Sequence, residues 1–166
     1  MPLISSNRLS RLRPEEAQEF ASLERRLSDP GEGGKDALLA RLGELAAKAD
    51  SYDPIPDGSQ PGDRFPLRAE AFQAVWEEAA GLRRDGRLME IVRRVRCPVT
   101  AIHGEYDPHP AEGVARPLAS VLDSFRIYRL PRCGHTPWAE RYVRDRFFAL
   151  LEHEITLPDS GFSADP

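Results

Sequence analysis

From Pro14 onward apolar residues return every three or four positions. Phe20, Leu23 and Leu27 fall on one face, and this spacing predicts a first helix that the run DPGEGG at Asp29 to Gly34 ends. Pro14 suits its first turn, where the missing N–H would have no partner in any case. The preceding segment, MPLISSNRLSRLR, is polar and basic and predicts no element. A second helix is predicted from about Lys35 to Asp50, with Leu38, Leu42, Leu45 and Ala49 on one face, so the two should form a helical hairpin. Ser51 to Pro66, SYDPIPDGSQPGDRFP, carries four prolines and two glycines and predicts an irregular loop. A third helix follows from about Leu67. Its stripe of Phe72, Val75, Trp76 and Ala79, extended by Leu82, reads as core, with Trp76 packed inside rather than serving as a ligand platform. Gly86 should break this helix before a short last turn at Leu88 to Val92.

After Arg96 the period changes. Val99 to His103 is short and β-rich, and Pro98 stands where a strand can begin without its donor being missed. His103-Gly104 closes that strand, Pro108 and Pro110 stiffen the turn, and a helix bent near Pro117 is predicted over Ala111 to Leu122. Phe125 to Leu130 is a second strand. Thr136 then predicts a cap, with Pro137 in the first turn of a closing helix that buries Val143, Phe147, Leu150 and Leu151 and runs to about Ile155. Strand, helix, strand, helix implies two parallel strands joined by a right-handed crossover, hence an α/β class. The expected organisation is a helical region over residues 1–96, a β-α-β-α unit over 97–156 and a frayed tail over 157–166.

Composition narrows the function classes. The 166 residues are 40% hydrophobic and 30% charged, as in an ordinary soluble protein with room for one core. The net charge of −4 supplies no field for phosphate backbones, so no nucleic-acid partner is expected. The arginines at 83, 84, 87, 93, 94 and 96 read as a solvated face around a helix end. No apolar run reaches the roughly 20 residues that span a bilayer, and the first residues lack a signal-like apolar core. The expectation is a cytoplasmic protein without a membrane partner. Cys97 precedes the first strand and Cys133 follows the second, too far apart for a disulfide, so two free thiols are expected.

Candidate chemistry lies where the strands end. Asp107 follows the first and His135 the second, and parallel neighbours present their carboxyl ends on one edge, where ligands of such sheets gather. An acid that orients a histidine, which then deprotonates a hydroxyl or thiol, is the logic of triad catalysis. Glu105 is a weaker candidate acid, His103 reads as a structural histidine, His109 as exposed, and Trp138 as packing the closing helix on the sheet. His103, Asp107, His109, Cys133 and His135 could gather at that edge. No CxxC or HxxxH pair provides a local chelate, however, and no metal is expected.

The segments CPVTAIHGEYDPHP (Cys97 to Pro110) and RCGHTPW (Arg132 to Trp138) resemble the last two strand-and-turn units of the α/β-hydrolase superfamily. Asp107 falls at the acid position of an HGxxD turn, and Gly134-His135 matches the histidine turn. The resemblance covers roughly residues 95–155, and the helices over 14–93 look like the lid that the family inserts before these units. It implies a partial α/β-hydrolase fold with Asp107 and His135 as catalytic acid and base, an ester, amide or peptide bond in a small-molecule or peptide substrate, and no cofactor. No G-x-S-x-G elbow occurs: Ser59 has Asp57 where the first glycine should stand, and neither cysteine has elbow surroundings. The expectation is therefore a truncated or split serine hydrolase that keeps acid and histidine and lacks the nucleophile, with self-association or a complementary chain as its partner. The alternative is a non-catalytic interaction protein derived from the fold. Zinc binding ranks behind both.

Overall fold

The computed structural model of the chain describes residues 2–56 and 68–156. The irregular loop expected beyond residue 56, Ser59 and the tail over 157–166 lie outside the described residues. The elements run α1 (Pro2–Leu9), α2 (Pro14–Ser28), α3 (Lys35–Asp50), α4 (Ala69–Arg84), α5 (Arg87–Val92), β1 (Val99–Gly104), α6 (Ala111–Ala119), β2 (Phe125–Leu130), a 3-10 turn (Pro137–Ala139) and α7 (Arg144–Thr156). The fold is mixed α/β, with the two strands paired in parallel.

The helical hairpin forms as its apolar spacing predicts. Leu12, Phe20 and Leu23 pack with Leu45 and Ala49 into one core cluster, and Leu38 and Leu42 close around it. Lys48 reaches across from α3 to the Glu16 carboxylate at 2.7 Å. The polar start of the chain is a correction to the sequence reading: residues expected to carry no element form α1, and its polar side chains make long-range contacts described below.

The stripe on α4 is a second correction. Phe72 is 43%, Val75 66% and Trp76 44% exposed, so Trp76 is not core. The reason lies in how α4 is held. Ala69 is buried with Leu27 and Leu39, its N–H donates to Asp36 Oδ1 at 2.8 Å, and Gln73 donates to the Leu27 carbonyl at 2.9 Å. These contacts hold the start of the helix and leave Phe72, Val75 and Trp76 outward, while Ala79 and Leu82 are half-buried. Gly86 takes φ +73, a conformation that side chains resist, and separates α4 from α5 as its composition implies.

In the sheet, Val99 pairs with Phe125 and the register continues to Gly104 opposite Leu130. Period-2 alternation puts Thr100, Ile102, Arg126, Tyr128 and Leu130 on the face that α7 covers. Leu130, Cys133 and Val143 are its buried centre, joined by Ile102, Phe147 and Leu150. Polar contacts continue this packing, since Thr100 and Tyr128 both donate to the Glu154 carboxylate, at 2.5 and 2.8 Å. Among the described residues each strand has one neighbour.

The closing helix is the third correction. Pro137 opens only one 3-10 turn, the backbone is extended at Glu140, and α7 starts at Arg144. Thr136 makes no cap. A distant pairing overrides the local helix preference: the chain at Glu140 bridges Pro54, and Ile55 donates to the Ala139 carbonyl at 2.8 Å. The Glu140 side chain is fully buried and accepts the backbone N–H groups of Tyr52, Asp53 and Gly134 at 2.7, 2.8 and 2.9 Å. A carboxylate buried in this way is stable only because its lone pairs are occupied. Leu151, expected in the buried face of α7, is 37% exposed.

Candidate active site

Both strands end on glycine-bearing turns, and each glycine is required by close approach. A Cβ on Gly104 would collide with the carbonyls of Cys133 and Gly134, and one on Gly134 would collide with the Asp50 carbonyl and the Glu140 carboxylate. With no side chains in the way, the turns dock directly: Glu105 donates to Leu130 at 2.9 Å and Tyr106 to Cys133 at 2.8 Å, carrying the parallel ladder past the ends of the strands. This docking brings Asp107 to His135.

Asp107 Oδ2 lies 2.8 Å from His135 Nδ1. Its other oxygen, Oδ1, accepts the backbone N–H of His109 and faces His109 Nδ1, each at 2.8 Å. The Asp107 side chain is 7% exposed, whereas that of His135 is 52% exposed. Burial pushes the Asp107 carboxyl up, but the hydrogen bonds from His135 and from the backbone and ring of His109 outweigh it and hold the group at about 2. The hydrogen bond to Asp107 raises His135 above its ordinary value; burial works against this, the charges of Asp107 and Asp50 reinforce it, and Arg8 opposes it. With Nδ1 facing the carboxylate, Nε2 is left to act on something else, and it bonds to no described residue.

Both residues singled out in the sequence are thus in contact, at the expected sheet edge. His109 is a correction: it was expected to be exposed, yet its side chain is 31% exposed and it shares the Asp107 carboxylate. Its ring lies 5.1 Å from that of His135, centroid to centroid, at an interplanar angle of 32°. His103, read as structural, has its Nδ1 at 2.8 Å from the Gly104 carbonyl. Its Nε2 stands 3.7 Å from Asp107, beyond hydrogen-bond length. Trp138 is 52% exposed and leans on Phe147 from outside rather than packing α7 on the sheet. Cys97 and Cys133 are free thiols, as expected. Burial, reinforced by the charges of Glu140 and Asp107, pushes Cys133 up to about 12, which disfavours its thiolate.

Three supporting residues escaped the sequence reading. His135 N–H donates to the Asp50 carbonyl at 2.8 Å, and the Asp50 carboxylate takes a two-pronged contact from Arg8 at 2.7 and 2.6 Å. Asn7 donates to the Pro108 carbonyl at 2.9 Å, beside the acid. The sequence holds no local signal for these links, which join residues separated by 42 positions or more. An apolar groove of about 220 Å³ lies elsewhere, between α2, α3 and α4, lined by Leu27, Leu39, Leu42 and Phe72. No described helix is long and apolar enough to cross a membrane.

Comparison with family models, curated proteins and solved structures found no match. The site therefore rests on its own geometry.

Proposed function

We propose that this chain supplies the acid–histidine pair of a serine-hydrolase-type centre acting on ester, amide or peptide bonds, with the nucleophile presented by a segment or chain beyond the described residues. The observation that carries the reading is the 2.8 Å contact between Asp107 Oδ2 and His135 Nδ1 at the carboxyl ends of two parallel strands. In this reading Asp107 fixes the imidazole tautomer and balances the imidazolium that forms. His135 Nε2 accepts the nucleophile's proton and later returns it to the leaving group. The partial α/β-hydrolase likeness of Cys97 to Trp138 agrees with this assignment.

The test is hydrolysis of an activated ester, alone and with candidate complementary chains, alongside labelling by a fluorophosphonate. Hydrolysis abolished by His135→Ala and reduced by Asp107→Asn supports the reading. A rate indifferent to His135→Ala, with no complementary chain that restores activity, refutes it.

The second reading is a non-catalytic interaction protein. It is favoured by the unpaired outer edges of β1 and β2 among the described residues, since such edges pair readily with other chains. Self-association at micromolar concentration, measured by light scattering and unchanged in His135→Ala, is its expected signature; a monomer at that concentration counts against it.

A further inference from the structure

We propose that Asp107, His109 and His135 form a binding site for a divalent transition metal of the zinc class. One donor atom from each residue lies within 4.8 Å of the other two. Two imidazoles and one carboxylate are a donor set that such ions favour, and they leave a fourth position for water.

The geometry needs little adjustment. Both ring Nδ1 atoms already face the Asp107 carboxylate at 2.8 Å. Donors bound to one tetrahedral zinc at about 2.1 Å stand about 3.4 Å apart. Against that spacing each imidazole stands about 0.6 Å too close to its own carboxylate oxygen, and the widest donor separation, within 4.8 Å, closes by at most about 1.4 Å to admit an ion. The rings sit on the solvent side of a buried carboxylate, so an ion can reach them from water. The three residues are also pre-positioned. Pro108 and Pro110 flank His109, its N–H fixes the carboxylate, and the Asp50 carbonyl holds the His135 backbone.

The other potential ligands at this edge are excluded by their surroundings. Cys133 is fully buried with its thiol directed at the Gly134 carbonyl, and His103 Nδ1 is committed to the Gly104 carbonyl. His109 is the residue that separates a metal site from a simple acid–base pair. A dyad needs one imidazole, and this carboxylate holds two.

Binding has a chemical consequence for His135. Without the ion, Nδ1 carries the proton shared with Asp107 and Nε2 is free to accept another. An ion on Nδ1 leaves the neutral ring protonated at Nε2, where it can accept nothing. An occupied site is thus an inhibited one, a consequence that rests on the function proposed above, whereas the site itself does not.

The test is calorimetric titration of the full chain with zinc chloride, in a Cys97→Ser background so that the exposed thiol does not compete, with ring-nitrogen NMR in parallel. The expected result is one zinc per chain, with affinity lowered by more than about tenfold in His109→Ala and in His135→Ala and unchanged in His153→Ala. The His109 and His135 ring nitrogens should shift together, with the His135 proton moving to Nε2. Circular dichroism checks each fold, and His109→Asn replaces any alanine variant that unfolds. Absence of zinc binding, or binding that survives loss of His109, overturns the proposal. Zinc binding, with no ester hydrolysis by the metal-free chain either alone or with complementary chains, leaves the site standing and removes the catalytic reading; hydrolysis without zinc binding does the reverse.

Discussion

Replacing Asp107 with asparagine keeps the side-chain shape and removes the charge on which two histidines converge. In the folded chain this carboxyl is held at about 2, against 3.8 for the free group. At about 1.4 kcal/mol per pKa unit, the difference is about 2 kcal/mol of native-state preference for the ionised form. The sign follows from the direction of the shift. A lowered carboxyl pKa contributes stability above 3.8 that is lost as pH falls through about 2. His135 is raised, so its share is fully present below 6.5 and lost as pH rises through its folded value. The stability gap between wild type and Asp107→Asn is therefore expected to peak between about pH 4 and 6.5, at about 2 kcal/mol, and to shrink on either side. Urea unfolding of both proteins from pH 2 to 9 measures the gap and cancels the titration of groups the two share. NMR titration of Asp107→Asn should find His135 returned toward 6.5. A gap that stays flat across this range would show that Asp107 acts through shape alone and would refute the electrostatic account.

Other outcomes follow from the same architecture. Glu140→Gln substitutes an amide for a fully buried carboxylate that takes three backbone N–H groups, and should cost about 1–3 kcal/mol in chemical unfolding, with faster amide exchange at Tyr52 and Gly134. Gly134→Ala should cost more, on the order of 3 kcal/mol or above, because its methyl meets the Asp50 backbone. Its thermal unfolding should fall sharply; a near-native midpoint would mean that the two turns are not docked. A thiol reagent near neutral pH should label exposed Cys97 once per native chain, and Cys133 only after denaturation, as read by mass spectrometry.

Local pattern carried the helical hairpin, both strands and the Asp107–His135 pair, because each depends on periodicity or on turn residues near in sequence. It failed where distant contacts outweigh local preference. Thr136-Pro137 has the composition of a helix start, yet the pairing of Glu140 with the chain near Pro54 holds the backbone extended. Trp76 has core spacing, yet the contacts described for α4 with α2 and α3 come from Ala69 and Gln73 at its start, and Trp76 is left outward. His109 sits between two prolines whose effect on ring direction no pattern reveals, so the sequence could bring it to that edge without showing that its ring faces the Asp107 carboxylate. The contacts of Asn7 and Arg8 come from a stretch whose polarity suggested no structure, because their partners lie far along the chain.

Asp50 changes what can be cut from this protein. Its carbonyl anchors the His135 backbone, its carboxylate binds Arg8, and Gly134 has no side chain because that carbonyl occupies the space. Contacts therefore cross the boundary expected near residue 96. A fragment beginning at Cys97 would retain Asp107, His109 and His135 and lose the backbone against which the histidine turn is braced. Anyone seeking to graft this pair onto another scaffold must carry the end of α3 with it, although His135 lies 85 positions beyond Asp50.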